Sequence, residues 1–164
     1  MDIIITSKFN FFNSKLIFER RLMKVFYSNS ENDTYRIAGE ICSLVCPGMV
    51  VAFSGGMGMG KTAFVRGALK YYGNDSFVSS PTFALVHDYG GSPHIYHFDM
   101  YRVTSLDDLY STGFFDYLNE DSILFIEWSE NITEALPQNT VFVNIKAGCN
   151  NENERIISVT GGGF

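Results

Sequence analysis

The chain is poor in the features that mark several protein classes. Its three cysteines, Cys42, Cys46 and Cys149, form no C-x-x-C pair. A scattered, odd set argues against a disulfide framework and fits a reducing cytoplasm. Cys42 and Cys46, four apart, read as small core residues. Basic residues are outnumbered, 12 against 18, for a formal charge of −6, which disfavours nonspecific nucleic-acid binding through a basic face. A protein surface, or a nucleotide carried with its metal, is the better-matched partner. No apolar run approaches the roughly 18 residues of a membrane span, so no membrane association is expected. There is no repeat at solenoid period.

What is present fits one domain: 164 residues suffice for a core without staples. Residues 1–22 differ from the rest, being dominated by Ile, Phe, Asn and Lys and lacking Gly. Lys8 and Lys15 interrupt any signal-peptide core. This stretch reads as an extension, non-native or disordered, with a single domain over 23–160 and a frayed tail at 161–164.

The chain is organised around Met49 to Thr62, MVVAFSGGMGMGKT. An apolar strand runs into a glycine-rich loop and then a helix carrying Phe64, Val65, Ala68 and Leu69 at helical spacing. Gly55, Gly60, Lys61 and Thr62 fit the pattern G-x-x-x-x-G-K-S/T, and Gly56, Met57, Gly58 and Met59 fill it. Glycines allow positive φ, so successive N–H groups can face a phosphate. The lysine supplies charge to the β- and γ-phosphates, the threonine a hydroxyl to Mg²⁺, and the helix N-terminus its positive dipole end. A phosphate chain carried with Mg²⁺ is the expected ligand of this loop.

Around this stretch the pattern predicts strand KVFY after Met23, then a helix opened by the capping box Ser28-x-x-Glu31. Ile37, Ala38, Ile41, Leu44 and Val45 form its apolar face, and Pro47-Gly48 stops it. FALVHDY and HIYHFDMY form a hairpin across Gly90 to Pro93. Ser105-x-x-Asp108 caps a short helix. SILFI is a strand buried on both faces, and VFVNI and RIISV are the last two strands. The fold class is α/β, a P-loop NTPase with a mixed sheet, helices packed on it and antiparallel hairpins toward its edges.

A phosphate loop needs carboxylates at neighbouring strand ends to hold and orient Mg²⁺. Glu127, ending SILFI, and Asp99, on the strand face shared with His97 and Tyr101, are the two that qualify. Each could instead be a rim carboxylate paired with a nearby Arg or Lys. His94-x-x-His97 is a poor metal site, because strand residues three apart face opposite ways. His97 reads as a hydrogen-bonded strand residue. Ser79 and Ser80 lack a nucleophile-elbow setting.

Taken together, the loop with Phe64, Arg66 and Gly67, then Ser80-Pro81-Thr82-Phe83, His97-x-Asp99-x-Tyr101-Arg102 and Glu127-Trp128 resemble the TsaE family. This is the ATPase component of bacterial tRNA threonylcarbamoyladenosine synthesis. The resemblance covers roughly Met23 to Val159. It implies ATP as the nucleotide, Thr62 and Glu127 as Mg²⁺ ligands, and Asp99 as an acid beside the γ-phosphate that orients water. It also implies a switch-like Ser80 to Phe83 with Thr82 near the γ-phosphate, and adenine contacts near Glu31 to Thr34 and Arg155-Ile156. Lys61, Asp99 and Thr82 would then be the catalytic set. The implied partners are TsaB- and TsaD-like subunits of a threonylcarbamoyl transferase, with tRNA met only indirectly. One departure stands out: Gly56 replaces the family's usual acidic residue after the first loop glycine, and Met57 and Met59 replace its usual Leu and Ala.

Two other classes share a phosphate loop. A small-molecule or nucleoside kinase usually needs an arginine-bearing lid, and the six arginines here do not cluster after the loop. A nucleotide-dependent binding module would bind without useful hydrolysis.

Overall fold

The computed structural model describes residues 23–164; the expected extension at 1–22 lies outside the described residues. A seven-stranded sheet runs in the order β1-β7-β6-β2-β5-β4-β3. Its strands are β1 (Lys24–Ser28), β2 (Val50–Ser54), β3 (Val86–Gly90), β4 (His94–Asp99), β5 (Ser122–Glu127), β6 (Val141–Ala147) and β7 (Arg155–Gly161). The centre is parallel: β2 pairs in parallel with β5 and β6, and β4 with β5. The flanks are antiparallel, β3 with β4 on one side and β1 and β6 with β7 on the other. This is the expected mixed α/β sheet.

The central strands read as continuous apolar runs because both sheet faces are covered. On β2, Val51 and Phe53 turn to one face and Val50 and Ala52 to the other, all buried. The first face receives helices α1 (Glu31–Cys42) and α2 (Lys61–Tyr71) through Ile37, Ile41, Phe64 and Leu69. Phe53 sits between Phe64 and Phe125, at centroid distances of 5.0 and 6.2 Å; burying each such side chain is worth about 1.5–3 kcal/mol. The two helices touch at Gly67, where a Cβ would lie 2.6 Å from the Tyr35 Cα. The second face is covered by α3 (Leu106–Ser111) and two short 3₁₀ turns, through Leu109, Phe114 and Ile132. Among the described residues no helix is long and apolar enough to cross a membrane.

Several local readings shift. The first helix is capped by Ser30, not Ser28: Ser30 Oγ accepts from the Asp33 N–H at 3.1 Å, and Asp33 Oδ2 accepts from the Asn29 N–H at 3.0 Å. Ser28 is unavailable because it ends β1, paired with Arg155. The helix stops at Cys42, well before Pro47, which leaves Leu44 half exposed and Cys46 exposed. Cys42 is the core cysteine, its thiol pushed up to about 12 by burial. Ser105 does cap α3, accepting from the Asp108 N–H. In the stretch expected to fray, Phe164 packs into the α1/α2-side core and its ring lies under the Lys24 ammonium.

Candidate functional site

The loop leaves β2 after Ser54 and turns into α2 at Lys61. Gly55 is fixed by sterics as well as by its φ of 130°, since a Cβ there would stand 2.2 Å from the Ile145 carbonyl oxygen on β6. Gly58 and Gly60 have φ of 74° and 105° with open space around them. Gly60 precedes α2 without a side-chain cap. The first N–H groups of α2, free of any capping side chain, therefore border the loop, the arrangement that receives anions.

Lys61 is 4% exposed. Its Nζ donates to the carbonyls of Gly55 and Gly56 at 2.7 and 2.9 Å, and it lies 4.2 Å from the ring centroid of Trp128. Burial lowers the pKa of this ammonium, opposed by the carboxylates of Glu127, Glu130 and Asp99.

Parallel pairing of β4 with β5 sets Asp99 directly beside Glu127, so both carboxylates leave the sheet at its C-terminal rim. Ligands of open α/β sheets bind at that rim. Among the described residues, neither carboxylate has the Arg or Lys partner that a purely structural role would supply. Glu127 Oε1 accepts from Thr62 Oγ1 at 2.7 Å and from His97 Nε2 at 2.9 Å. Asp99 Oδ2 accepts from Ser80 Oγ and Thr82 Oγ1 at 2.7 and 2.6 Å, and Oδ1 from the Tyr101 N–H at 3.0 Å. Arg66 instead pairs with Glu31 and donates to the Val78 carbonyl, and Arg102 lies over Phe83.

Two clefts meet at Gly58. One, of about 280 Å³, holds Lys61, Thr62, Thr82, Asp99 and Glu127, with Met57 at its lip and Trp128 and Tyr101 as a wall. The other, of about 470 Å³, lies on the far side of the loop, bounded by Met59 and Gly60, by Glu31 and Thr34 on α1, and by Arg66, Asn153 and Arg155. Loop, lysine, hydroxyls and carboxylates thus meet at one cleft, and Glu31 joins the second. Ile156 does not line it. Strand alternation turns Arg155 and Ile157 to the helix-covered face and Ile156 away from it. The oxygens of Thr62, Glu127 and Asp99 are a hard donor set suited to Mg²⁺, and the loop amides with Lys61 suit a phosphate chain.

Sequence reasoning missed two members. Asn153, in the turn before β7, carries no motif, whereas of the expected Arg155-Ile156 pair it is Arg155 that lines the cleft. The bond from His97 to Glu127 depends on the register of β4 against β5. The shared face of His97 and Asp99 was its only local signal.

Residues 28–157 match the family model described as threonylcarbamoyl adenosine biosynthesis protein TsaE. The chain belongs to the TsaE family. Similar TsaE proteins include that of Rickettsia conorii, 40% identical over 126 residues that make up 76% of this chain and 71% of the relative. That of Bacillus subtilis is 32% identical over 130 residues, 79% of this chain and 81% of its own. Both are named as tRNA threonylcarbamoyladenosine biosynthesis proteins. Among solved structures, crystalline YdiB of Bacillus subtilis superposes with a TM-score of 0.70 at 27% identity, covering 88% of this chain and 89% of that one. The mixed seven-stranded sheet described above is therefore that of a TsaE-family α/β fold of P-loop type.

Proposed function

We propose that this TsaE-family chain binds and hydrolyses ATP, and that it serves N6-threonylcarbamoyladenosine formation at adenosine 37 of tRNA. Hydrolysis would reset a threonylcarbamoyl transferase complex built from TsaB- and TsaD-like subunits, with tRNA contacted only through that complex. The carrying observation is the convergence on one cleft of Lys61, Thr62, Glu127, Asp99 and Thr82.

The cleft of Lys61 and Asp99 takes the β- and γ-phosphates, and the cleft of Glu31, Thr34 and Arg155 takes the nucleoside. Lys61 leaves the carbonyls of Gly55 and Gly56 and donates to the phosphates, and the amides of Gly56 through Thr62 share their charge. Thr62 and Glu127 would hold Mg²⁺, which when bound neutralises charge between the β- and γ-phosphates. Asp99 orients a water in line with the γ-phosphorus. The water oxygen bonds to phosphorus as the bond to the bridging oxygen breaks, giving ADP and inorganic phosphate, and the water proton ends on phosphate or solvent. Thr82 and Ser80, tied to Asp99, link the γ-phosphate position to the segment through Phe83.

Among the described residues, no arginine lines the Lys61–Asp99 cleft. An arginine supplied from outside raises such reactions by roughly 10³–10⁵, so turnover by the chain alone should be slow. The deciding experiment measures phosphate release with and without the transferase pair. Lys61→Ala should abolish it, and partners should raise the wild-type rate. Undiminished turnover in the Lys61 variant would overturn the proposal, and transfer of phosphate to a metabolite rather than water would make the chain a kinase.

A further inference from the structure

His97 has no part in the reaction above, yet it is wholly buried beside it. Its Nε2 lies 2.9 Å from Glu127 Oε1, the oxygen that also accepts from Thr62. A carboxylate accepts only, so Nε2 carries the proton of this bond. The other ring nitrogen, Nδ1, is buried and has no hydrogen-bond partner among the described residues. Tyr89 stacks over the imidazole face, with centroids 6.3 Å apart and planes at 25°.

Packing alone would select against this side chain. A buried, unpaired ring nitrogen is unfavourable, and an apolar ring would fill the same space under Tyr89 without it. What imidazole adds is one N–H aimed at Glu127. Two donors converge on Oε1 from different elements, Thr62 on α2 and His97 on β4. They fix the rotation of the carboxylate, while Oε2 accepts from none of the described side chains. Threonine is a weak anchor for this purpose, because the proposed metal would compete for its hydroxyl. His97 keeps its hold whether or not Thr62 turns away.

We propose that His97 is a positioning residue that donates Nε2–H to Glu127 Oε1 and holds this carboxylate turned toward a hard divalent cation at the loop. The inference rests on the metal-nucleotide reading above. Groups that orient a ligand from behind typically change metal affinity by roughly 10- to 100-fold when removed.

The test titrates Mg²⁺ into wild-type protein, His97→Phe and His97→Gln, each with a non-hydrolysable ATP analogue. The readout is the fluorescence of the single tryptophan, Trp128, which adjoins Glu127. Calorimetry measures nucleotide binding without metal. His97→Phe should raise the Mg²⁺ concentration at half-saturation on the order of 10-fold and leave metal-free nucleotide affinity unchanged. Glutamine places an amide N–H near the position of Nε2 and should restore most of the loss. His97→Asn, whose shorter amide cannot reach Glu127, should behave like His97→Phe and serves if that variant does not fold. An unshifted titration in both His97→Phe and His97→Asn, or a shift that glutamine leaves in full, would overturn the role of His97. Wild-type nucleotide binding indifferent to Mg²⁺ would instead overturn the metal reading, and the role of His97 with it.

Discussion

Thr82 Oγ1 donates to Asp99 Oδ2 at 2.6 Å, and Ser80 Oγ donates to the same oxygen at 2.7 Å. One carboxylate oxygen thus gathers both hydroxyls of the Ser80-Pro81-Thr82-Phe83 stretch, while Phe83 is left 90% exposed at its end. Asp99 is the point at which this stretch is tied to the sheet.

Asp99→Asn keeps the shape of the side chain but removes its charge. Nucleotide binding should survive, because Lys61 and the loop amides are untouched, while single-turnover hydrolysis should fall on the order of 100-fold or more. Calorimetry and phosphate release under partner-stimulated conditions measure the two separately. Full hydrolysis in this variant would remove Asp99 from the catalytic set.

The loop glycines should not respond alike. Gly55→Ala forces a Cβ against the Ile145 carbonyl at an unfavourable φ, and should cost about 2–4 kcal/mol in urea unfolding. Gly58→Ala meets open space and pays only the left-handed backbone penalty, about 1–2 kcal/mol. Gly56→Asp, which supplies the acid expected there from the family resemblance, needs no positive φ, and its Cβ would meet only the flexible Met59 side chain at 3.7 Å. Its stability should stay within about 0.5 kcal/mol of wild type, so any change in partner stimulation would report on the added carboxylate and not on folding.

Acid should unfold the protein through its turn and cap carboxylates. Backbone N–H groups of Asn29, Thr104 and Asn150, bonded to Asp33, Asp108 and Glu154 respectively, lower the pKa of each acid. A group whose folded pKa is depressed adds stability that is present above its unfolded value, near 4. That stability is lost as pH falls through the folded value. The urea midpoint should therefore drop from about pH 5 downward. The triple variant Asp33→Asn, Asp108→Asn, Glu154→Gln should show a flatter decline than wild type. An identical slope would mean that other groups govern acid unfolding.

The readings that succeeded rest on short-range physics. The loop, the run of SILFI and the Ser105 cap are each set within a few residues, where glycine chemistry, continuous burial and Asx-type capping act. Those that shifted depend on distant partners. Ser28 has the right spacing for a cap but is claimed by Arg155 across the sheet. Leu44 continues an apolar face past the point where the helix ends. Ile156 and Arg155 are neighbours in sequence, and only the pleat decides which one reaches the cleft. The bond from His97 to Glu127 needs two strands, thirty residues apart, in one register.

The position of β2 has a consequence for how the cleft breathes. Its backbone is bonded on both sides, to β5 and β6, so the amides of Val51 to Phe53 open only with the whole domain and should exchange with solvent slowest. Across the cleft, residues 79–85 belong to no strand and are tethered largely through Asp99. The proposed phosphate site therefore has one stiff wall and one compliant wall. Ordering on ligand capture should fall almost entirely on the compliant side, and amide exchange at Thr82 and Phe83 should register it while the β2 amides stay silent.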